Sequence, residues 1–160
     1  MNESIYILVV DDNQVNLKVV SNFLKEENYK IALATDGESA FSILAKHKID
    51  LILLDIMMPE MDGFEVCEIL KGNPKTKGIP VIFLTAKNET EDIVKGFRIG
   101  GVDYITKPFN KEELIARVKN HVQLKLVMDL LIKSELDTRK SRDLFMSTLY
   151  DLGKIMGRNS

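Results

Sequence analysis

Six apolar residues, Ile5-Tyr6-Ile7-Leu8-Val9-Val10, lead without interruption into two acids, Asp11-Asp12. A β-branched run without polar alternation is typical of a strand that is buried on both faces of a parallel sheet. Strong runs of this kind recur at Leu51-Ile52-Leu53-Leu54 and Val81-Ile82-Phe83-Leu84, and weaker ones at Ile31-Ala32-Leu33-Ala34 and Asp103-Tyr104-Ile105-Thr106. The strong runs predict central strands. The weaker runs predict edge strands or strands near an active surface.

Helical patterns lie between these runs, because apolar residues recur there every three or four positions. The expected buried faces carry Val15, Val19, Val20, Phe23 and Leu24 on the first helix, Ala40, Ile43 and Leu44 on the second, Val66, Ile69 and Leu70 on the third, and Ile93 and Phe97 on the fourth. Parallel strands need right-handed helical crossovers that cover both faces of their sheet. The sequence therefore predicts an α/β fold with a doubly wound, five-stranded parallel sheet.

Short polar residues directly after three strands predict where helices begin. Asp12 or Asn13 is the expected N-cap of the first helix, Asp36 that of the second and Asn110 that of the last. The last helix is expected to begin near Lys111 and to turn its apolar side toward the sheet through Leu114, Ile115 and Val118.

The composition is that of an ordinary globular protein. Of the 160 residues, 45% are hydrophobic and 29% are charged, which excludes wholesale disorder. The net charge of −2 provides no general attraction for nucleic acid or an anionic membrane. The run that ends at Val10 is far shorter than the roughly 20 residues that span a bilayer. We expect a cytoplasmic protein that binds neither nucleic acid nor membrane directly, with its single cysteine, Cys67, as a buried and inert thiol.

Five polar side chains end or follow the predicted strands: Asp11, Asp12, Asp55, Thr85 and Lys107. Ligands of doubly wound sheets bind beyond the carboxyl ends of the strands, so these side chains are predicted to share one site. Three carboxylates in one place need a counter-charge, and all-oxygen ligands favour Mg²⁺ over zinc. With an ammonium and a hydroxyl beside them, they are the groups needed to hold a phosphoryl group, one carboxylate acting as nucleophile.

Four motifs, in this order, resemble those of response regulator receiver domains: Val9-Val10-Asp11-Asp12-Asn13, Leu53-Leu54-Asp55-Ile56-Met57-Met58-Pro59-Glu60-Met61-Asp62-Gly63, Leu84-Thr85-Ala86 and Asp103-Tyr104-Ile105-Thr106-Lys107-Pro108-Phe109. The resemblance covers roughly residues 3–124. It implies a flavodoxin-like fold with strand order 2-1-3-4-5. It also implies Mg²⁺ as cofactor and a sensor histidine kinase or phosphotransfer protein as partner. The only chemistry it implies is the domain's own phosphorylation and dephosphorylation.

The resemblance further implies roles for the acidic residues and their neighbour. Asp55 would accept a phosphoryl group from a kinase phosphohistidine. Asp12 would bind the metal directly and Asp11 mainly through water. Asp55 and the backbone carbonyl of Met57 would be further metal ligands.

The remaining motif residues would form the switch. Lys107 would pair with Asp55 in the resting state and with a phosphoryl oxygen afterwards. Thr85 would move to hydrogen-bond that oxygen, and Tyr104 would swing inward into the space vacated. The Lys107-Pro108 peptide would be cis. Considered without the family, Thr85 is an ordinary strand-end hydroxyl and Tyr104 a partly buried aromatic on an edge strand.

Some positions depart from the family pattern or stand outside it. Gly100-Gly101 stands where the family usually has Gly-Ala, which a tight turn explains. Met57 and Lys87 occupy positions that adjust dephosphorylation in the family. Methionine cannot orient a water and a lysine could shield the phosphoryl group, so the lifetime of the phosphorylated state stays open. His47 and His121 are interpreted as surface residues and not as ligands.

Residues 1–124 are assigned to the receiver domain and residues 125–160 to a helical extension, either a coiled coil or a linker. A 3,4 spacing there selects Leu124, Val127, Leu131, Ser134, Thr138, Ser141, Phe145, Thr148, Leu152 and Ile155. The polar members lie together in residues 133–143, a charged interruption between two apolar patches. An isolated amphipathic helix has little against which to bury its stripe, so we predict pairing between chains. A disordered or folded-back tail is the alternative.

Other functions remain open at this point. A homodimer could form through the extension or through the face of the fourth helix, fifth strand and fifth helix. The chain could be a scaffold that no longer switches, or the receiver part of a larger hybrid kinase or multidomain regulator. A dehalogenase-like phosphatase would need a second acid two residues after Asp55, where Met57 stands. A flavin-binding protein of the same fold would need a phosphate loop richer in glycine and hydroxyls than Asp11-Asp12-Asn13-Gln14.

Overall fold

The computed structural model describes residues 4–86 and 90–158, where five strands alternate with five helices. The strands are β1 (Tyr6–Val10), β2 (Lys30–Ala34), β3 (Leu51–Asp55), β4 (Val81–Ala86) and β5 (Asp103–Lys107). The helices are α1 (Gln14–Lys25), α2 (Gly37–Lys46), α3 (Gly63–Lys71), α4 (Thr90–Arg98) and α5 (Lys111–Arg158). All neighbouring strands are parallel, in the order β2-β1-β3-β4-β5. The predicted α/β, doubly wound and flavodoxin-like fold is confirmed.

The apolar content of each strand matches its place in the sheet. β1, β3 and β4 are the central strands, and every residue of β3 is buried. β2 and β5 lie at the two edges, and each has a single buried residue, Ala34 and Ile105. The strong runs are therefore central and the weak runs are edges, as predicted.

Two apolar cores form, one on each face of the sheet, because successive strand residues point to opposite faces. One core joins Leu8, Ile52 and other strand residues to α2 and α3. The other joins Ile7, Leu53 and their neighbours to α1 and the first turns of α5. Cys67 lies fully buried in the first core, and burial raises the pKa of its thiol. A raised pKa disfavours the reactive thiolate, which agrees with an inert cysteine.

Three apolar residues that were expected on buried helix faces are exposed. Val15 is 70% exposed because the buried stripe of α1 runs through Leu17, Val20 and Leu24. A residue two positions from Leu17 points to the opposite side of the helix. Ile69 and Phe97 are also about half exposed in α3 and α4. The predictions for these three side chains were wrong, since each helix is rotated away from them.

The helix N-caps agree with the sequence. Asn13, the second of the two candidates for α1, accepts hydrogen bonds through its side chain from the backbone N–H groups of Val15 and Asn16. Asp36 and Ser39 form a reciprocal capping box at α2, and Asn110 accepts from the Glu113 N–H at α5. Each cap satisfies backbone donors that a helix start leaves without partners.

Two glycines allow close approach between elements. A Cβ atom at Gly63, the first residue of α3, would lie 2.2 Å from the backbone oxygen of Asp55. A Cβ at Gly101 would lie 2.5 Å from the ring of Phe83 on β4 and 3.0 Å from the Gly96 oxygen. Gly100 has a φ of +117°, which explains the first glycine of the pair by backbone conformation. The second is explained by lack of space.

The described residues divide into two compact units, one that extends to Lys125 and one that begins at Leu126. In the second unit, residues 126–158 are helical throughout, so the charged stretch 133–143 does not break the helix. Within it, the Thr138 hydroxyl donates to the Ser134 carbonyl, and Arg139 pairs with Glu135 at 2.9 Å. The side chain of Ile155, the last member of the predicted stripe, lies outside the described residues.

Candidate functional site

The sheet brings the polar strand ends together at its carboxyl edge. Asp55 ends β3, which pairs with β1, and Asp11 and Asp12 directly follow β1. Thr85 lies next to the end of β4, and Lys107 ends the neighbouring strand β5. In-register parallel pairing places these ends side by side, as the sequence predicted.

Three carboxyl groups form the centre of the site. One carboxylate oxygen from each of Asp11, Asp12 and Asp55 lies within 4.8 Å of the other two. Asp11 and Asp55 are buried, whereas Asp12 is exposed. An all-oxygen cluster with one open side suits a hard divalent cation such as Mg²⁺, which retains several of its waters. The residues present therefore fit the predicted magnesium site.

Lys107 is the cation that faces these acids. Its Nζ lies 2.9 Å from Asp55 Oδ1 and 3.4 Å from Asp11 Oδ2. Burial alone would lower the pKa of the ammonium, but the hydrogen bond to Asp55 and the charges of both acids raise it above the usual value. Lys107 is therefore held as a fixed positive charge beside Asp55.

One ammonium does not balance three acids. Burial raises the pKa of Asp55 to about 6, and the charge of Asp11 adds to the rise while Lys107 opposes it. With all three acids ionised, the formal charge of Asp11, Asp12, Asp55 and Lys107 together is −2. The site therefore has both the charge and the oxygen ligands to attract a further cation.

Thr85 and Tyr104 lie on neighbouring strands at the edge of the site. The buried Thr85 donates its hydroxyl to the Ala86 carbonyl at 3.3 Å. The half-buried ring of Tyr104 meets Phe97 edge-on at 6.1 Å, and the Arg117 guanidinium lies 5.3 Å from its centroid. A cavity of about 10 Å³ is lined by Thr85, Phe97 and Tyr104 among others. This space admits about one water and is too small for a phenol ring.

His121 differs from its prediction as a surface residue. Its side chain is only 12% exposed, and Nε2 lies 3.0 Å from Asp103 Oδ2. Arg117 Nη1 pairs with the other oxygen of Asp103 and Nε with Glu113. The sequence hinted at this cluster only through the spacing of Arg117 and His121, which puts both on one face of a helix. It ties β5, beside Tyr104, to α5.

Four other positions were singled out from the sequence, and the structure describes three of them. The Lys107–Pro108 peptide is cis, as predicted. The Met57 side chain is 72% exposed, two residues beyond Asp55. Lys87 lies outside the described residues, and His47 is exposed, as predicted. Among residues 4–86 and 90–158, no helix combines the length and apolar character needed to cross a membrane.

Two contacts of Asp11 were not foreseen. The Asn13 backbone N–H donates to Asp11 Oδ1 at 2.9 Å, and the Asn16 side-chain amide donates to Asp11 Oδ2 at 3.2 Å. The available signal was an amide residue in the first turn of the helix that follows the acid pair.

Comparison with known proteins gives a consistent result. The family model described as response regulator receiver domain matches residues 7–119. The chain is 48% identical over 126 residues to a Vibrio cholerae protein named "Probable cyclic di-GMP phosphodiesterase", covering 79% of this chain and 28% of that protein. It is 42% identical over 134 residues to response regulator PleD of Caulobacter vibrioides, covering 84% of this chain and 30% of PleD. The chain thus spans less than a third of the length of either relative.

Solved structures show the same likeness. Chemotaxis response regulator CheY4 of Vibrio cholerae superposes with a TM-score of 0.70 at 29% identity. The match covers 74% of this chain and 99% of CheY4. The region of likeness therefore corresponds to one whole small domain.

Proposed function

The chain belongs to the response regulator receiver family, and we propose that it accepts a phosphoryl group on Asp55 from a histidine kinase or a phosphotransfer protein. An oxygen of the Asp55 carboxylate attacks the phosphorus of a phosphohistidine. The phosphorus–oxygen bond forms, the phosphorus–nitrogen bond breaks, and the imidazole nitrogen leaves with the electron pair. Receiver domains generally act as such phosphoryl-accepting switches.

The observation that carries the proposal is the setting of Asp55. Its carboxylate is buried at a strand end, 2.9 Å from a lysine ammonium and beside two further acids. The ammonium of Lys107 orients the nucleophile and afterwards attracts an oxygen of the phosphoryl group. The hydroxyl of Thr85, one strand away, turns from the Ala86 carbonyl to donate to another phosphoryl oxygen.

Receiver domains bind Mg²⁺ at an acidic pocket, and here Asp12, Asp11, Asp55 and the Met57 carbonyl would hold it. When bound, the ion neutralises the negative oxygens of the incoming phosphoryl group. Asp12 is the exposed acid and would provide the direct ligand. The buried Asp11 already accepts hydrogen bonds on both oxygens, which favours contact through water.

The proposed switch passes from Thr85 to the face of α4, β5 and α5. Movement of Thr85 makes room on the inner side of the Tyr104 ring. Because the cavity there is smaller than the ring, Tyr104 can turn inward only if Phe97 and α4 also shift. Inward rotation also removes the ring from Arg117 and so changes the surface of α5.

Intact-mass measurement tests the proposal directly. The protein is incubated with Mg²⁺ and acetyl phosphate, and a single phosphoryl adduct is expected on the wild type. Asp55→Asn should abolish the adduct, whereas Asp143→Asn, on the exposed side of α5, should leave it intact. No adduct on the wild type, or an undiminished one on Asp55→Asn, would contradict the assignment.

We further propose that the helical extension pairs with a second copy of the chain. In this segment the large apolar side chains are exposed in two groups: Leu126, Val127, Met128, Leu130, Leu131, Ile132 and Leu136, then Leu144, Phe145, Met146, Leu149, Tyr150 and Leu152. Such a helix is marginal in water unless its apolar surface is covered. In a parallel pair with Leu124 and Val127 in the seam, Asp137 of one chain faces Arg142 of the other, a favourable flanking pair.

Light scattering, with charge-swap variants, tests this pairing. Arg142→Asp should weaken the dimer because it places two acids opposite each other, and Asp137→Arg added to it should restore the dimer. Beryllofluoride, a mimic of the phosphoryl group, should shift the dimer population. A dimer population that beryllofluoride does not change, but that disappears on truncation after Leu124, would favour a scaffold that does not switch. A monomer under all conditions would contradict the pairing.

The site also bears on the alternative functions. A phosphatase of the dehalogenase kind needs a second acid near the nucleophile, and the exposed Met57 stands at that position. Steady turnover of a phosphomonoester would favour that function instead. We propose that the protein acts in the cytoplasm, where its phosphodonor is made, and that its output is exerted through a partner or through further domains such as those of its longer relatives.

A further inference from the structure

Asp11 is the most tightly held side chain of the site. It is fully buried, and its Oδ1 accepts a hydrogen bond from the Asn13 backbone N–H at 2.9 Å. Its Oδ2 accepts from the Asn16 side-chain amide at 3.2 Å and lies 3.4 Å from Lys107 Nζ. Both oxygens are therefore engaged by donors that come from different directions.

The start of α1 brings Asn16 to this position. Asn13 caps the helix by accepting from the N–H groups of Val15 and Asn16, so Asn16 is the third helical residue. The side chain at this position of a capping box reaches back to the N-cap backbone. Here the amide of Asn16 reaches further back, to the carboxylate of Asp11. The Asn16 amide therefore donates to an acid of the candidate site and not to the backbone of the N-cap residue.

We propose that Asn16 is a positioning residue of the Mg²⁺ site, which fixes the orientation of the Asp11 carboxylate. This inference rests on the proposed function, since it concerns the same site. Without the Asn16 amide, Oδ2 of Asp11 is free to turn toward Lys107, which lies only 3.4 Å away. A closer ion pair with Lys107 would turn the Asp11 carboxylate away from the position at which its charge attracts the cation and its waters.

A neutral donor suits this role. The amide of Asn16 holds the carboxylate through a hydrogen bond and leaves unchanged the negative charge that attracts Mg²⁺. A lysine or arginine there would cancel that charge, and an acid would repel Asp11. Loss of residues that orient metal ligands in this way typically weakens metal affinity 10–100-fold, and we expect about tenfold for Asn16→Ala.

The apparent Mg²⁺ affinity tests the inference without using phosphorylation. Urea unfolding of the full chain at increasing Mg²⁺ gives the dissociation constant, because an ion that binds only the folded state raises the free energy of unfolding. Asn16→Ala should bind Mg²⁺ about tenfold more weakly than the wild type. Asn22→Ala removes an exposed amide from the same helix and should not change the affinity. Asn16→Ser, which keeps a residue suited to a helix start, should weaken binding as Asn16→Ala does and serves if the alanine variant does not fold.

The possible results distinguish an error about Asn16 from an error about the proposed function. Wild-type Mg²⁺ affinity in Asn16→Ala or Asn16→Ser overturns the inference, even if the variant is less stable in EDTA, because the role is then only structural. A wild type that binds Mg²⁺ but forms no phosphoryl adduct overturns the proposed function, while the Mg²⁺ affinities still decide the role of Asn16. A wild-type adduct together with unaltered Mg²⁺ affinity in either variant overturns the role of Asn16 alone.

Discussion

Asp55→Asn should stabilise the metal-free protein at neutral pH, although it removes an ion pair. The Asp55 carboxyl is buried next to Asp11, and burial, reinforced by that neighbouring charge, raises its pKa to about 6. The usual value for an aspartate in an unfolded chain is about 3.9. A group with a raised folded-state pKa contributes most to stability when it is protonated. The folded state thus loses stability relative to the unfolded state as pH rises through the window from about 4 to 6.

The size of the effect follows from this difference. A gap of about two pH units corresponds to about 3 kcal/mol at pH 7 as an upper limit, since one unit is worth about 1.4 kcal/mol. Asparagine avoids this cost. The pKa of about 6 already includes the attraction of Lys107 for the Asp55 carboxylate, so the lost ion pair adds no further cost. The amide does place two N–H donors in a buried site shaped for a carboxylate, and some of their hydrogen bonding with water is lost. That loss offsets about 1–2 kcal/mol. We expect a net gain of about 1–2 kcal/mol at pH 7.

Urea unfolding in EDTA at pH 7 and pH 5 measures the gain. The advantage of Asp55→Asn should shrink by about 1 kcal/mol at pH 5, because the wild-type carboxyl is then largely protonated in the folded state. Asp143→Asn, an exposed aspartate on α5, should change stability by less than about 0.5 kcal/mol at either pH. Added Mg²⁺ should stabilise the wild type more than Asp55→Asn.

Two results would refute this reasoning. One is an Asp55→Asn variant that is less stable than the wild type at pH 7 in EDTA. The other is an advantage that grows as the pH falls. Either result would mean that the attraction of Lys107 lowers the pKa of Asp55 by more than burial raises it. The charges of the acidic site would then be balanced before any cation binds.

Three further substitutions follow from the structure, each measured by urea unfolding. Gly63→Ala should cost at least about 2 kcal/mol, because its Cβ would lie 2.2 Å from the Asp55 carbonyl oxygen, whereas Gly78→Ala, with open space around it, should be nearly neutral. Similar losses at both glycines would rule out the steric explanation. Gly101→Ala should cost about 1–3 kcal/mol through the Phe83 ring, and Phe83→Leu in the same chain should recover part of it; strictly additive losses would argue against that contact. Asn13→Ala should cost about 1 kcal/mol by removing the α1 cap, and an unchanged stability would show that water replaces it.

Patterns local to the chain predicted most of the fold. The strands at Tyr6–Val10 and Leu51–Asp55 were recognisable because a run buried on both faces has no polar alternation. The caps at Asn13, Asp36 and Asn110 were recognisable because only a few residue types satisfy the free N–H groups of a helix start. The reliance on local patterns also explains why three helix side chains were wrongly expected to be buried. Periodicity does not show how a helix is rotated against a sheet, so Val15 was placed on the wrong side.

The sequence by itself predicted which residues form the candidate site, because parallel strands must deliver their carboxyl ends to one edge and five polar residues stand at those ends. Only the tertiary structure decided which of these side chains contact each other and at what distance. Asp55 and Lys107 are 52 residues apart, and Asp103 and His121 are 18 apart. The distances between such groups depend on strand register and helix rotation, which no local pattern encodes. The burial that raises the pKa of Asp55 follows from packing between distant segments, whereas the turn of α1 that brings Asn16 to Asp11 follows from the local cap at Asn13.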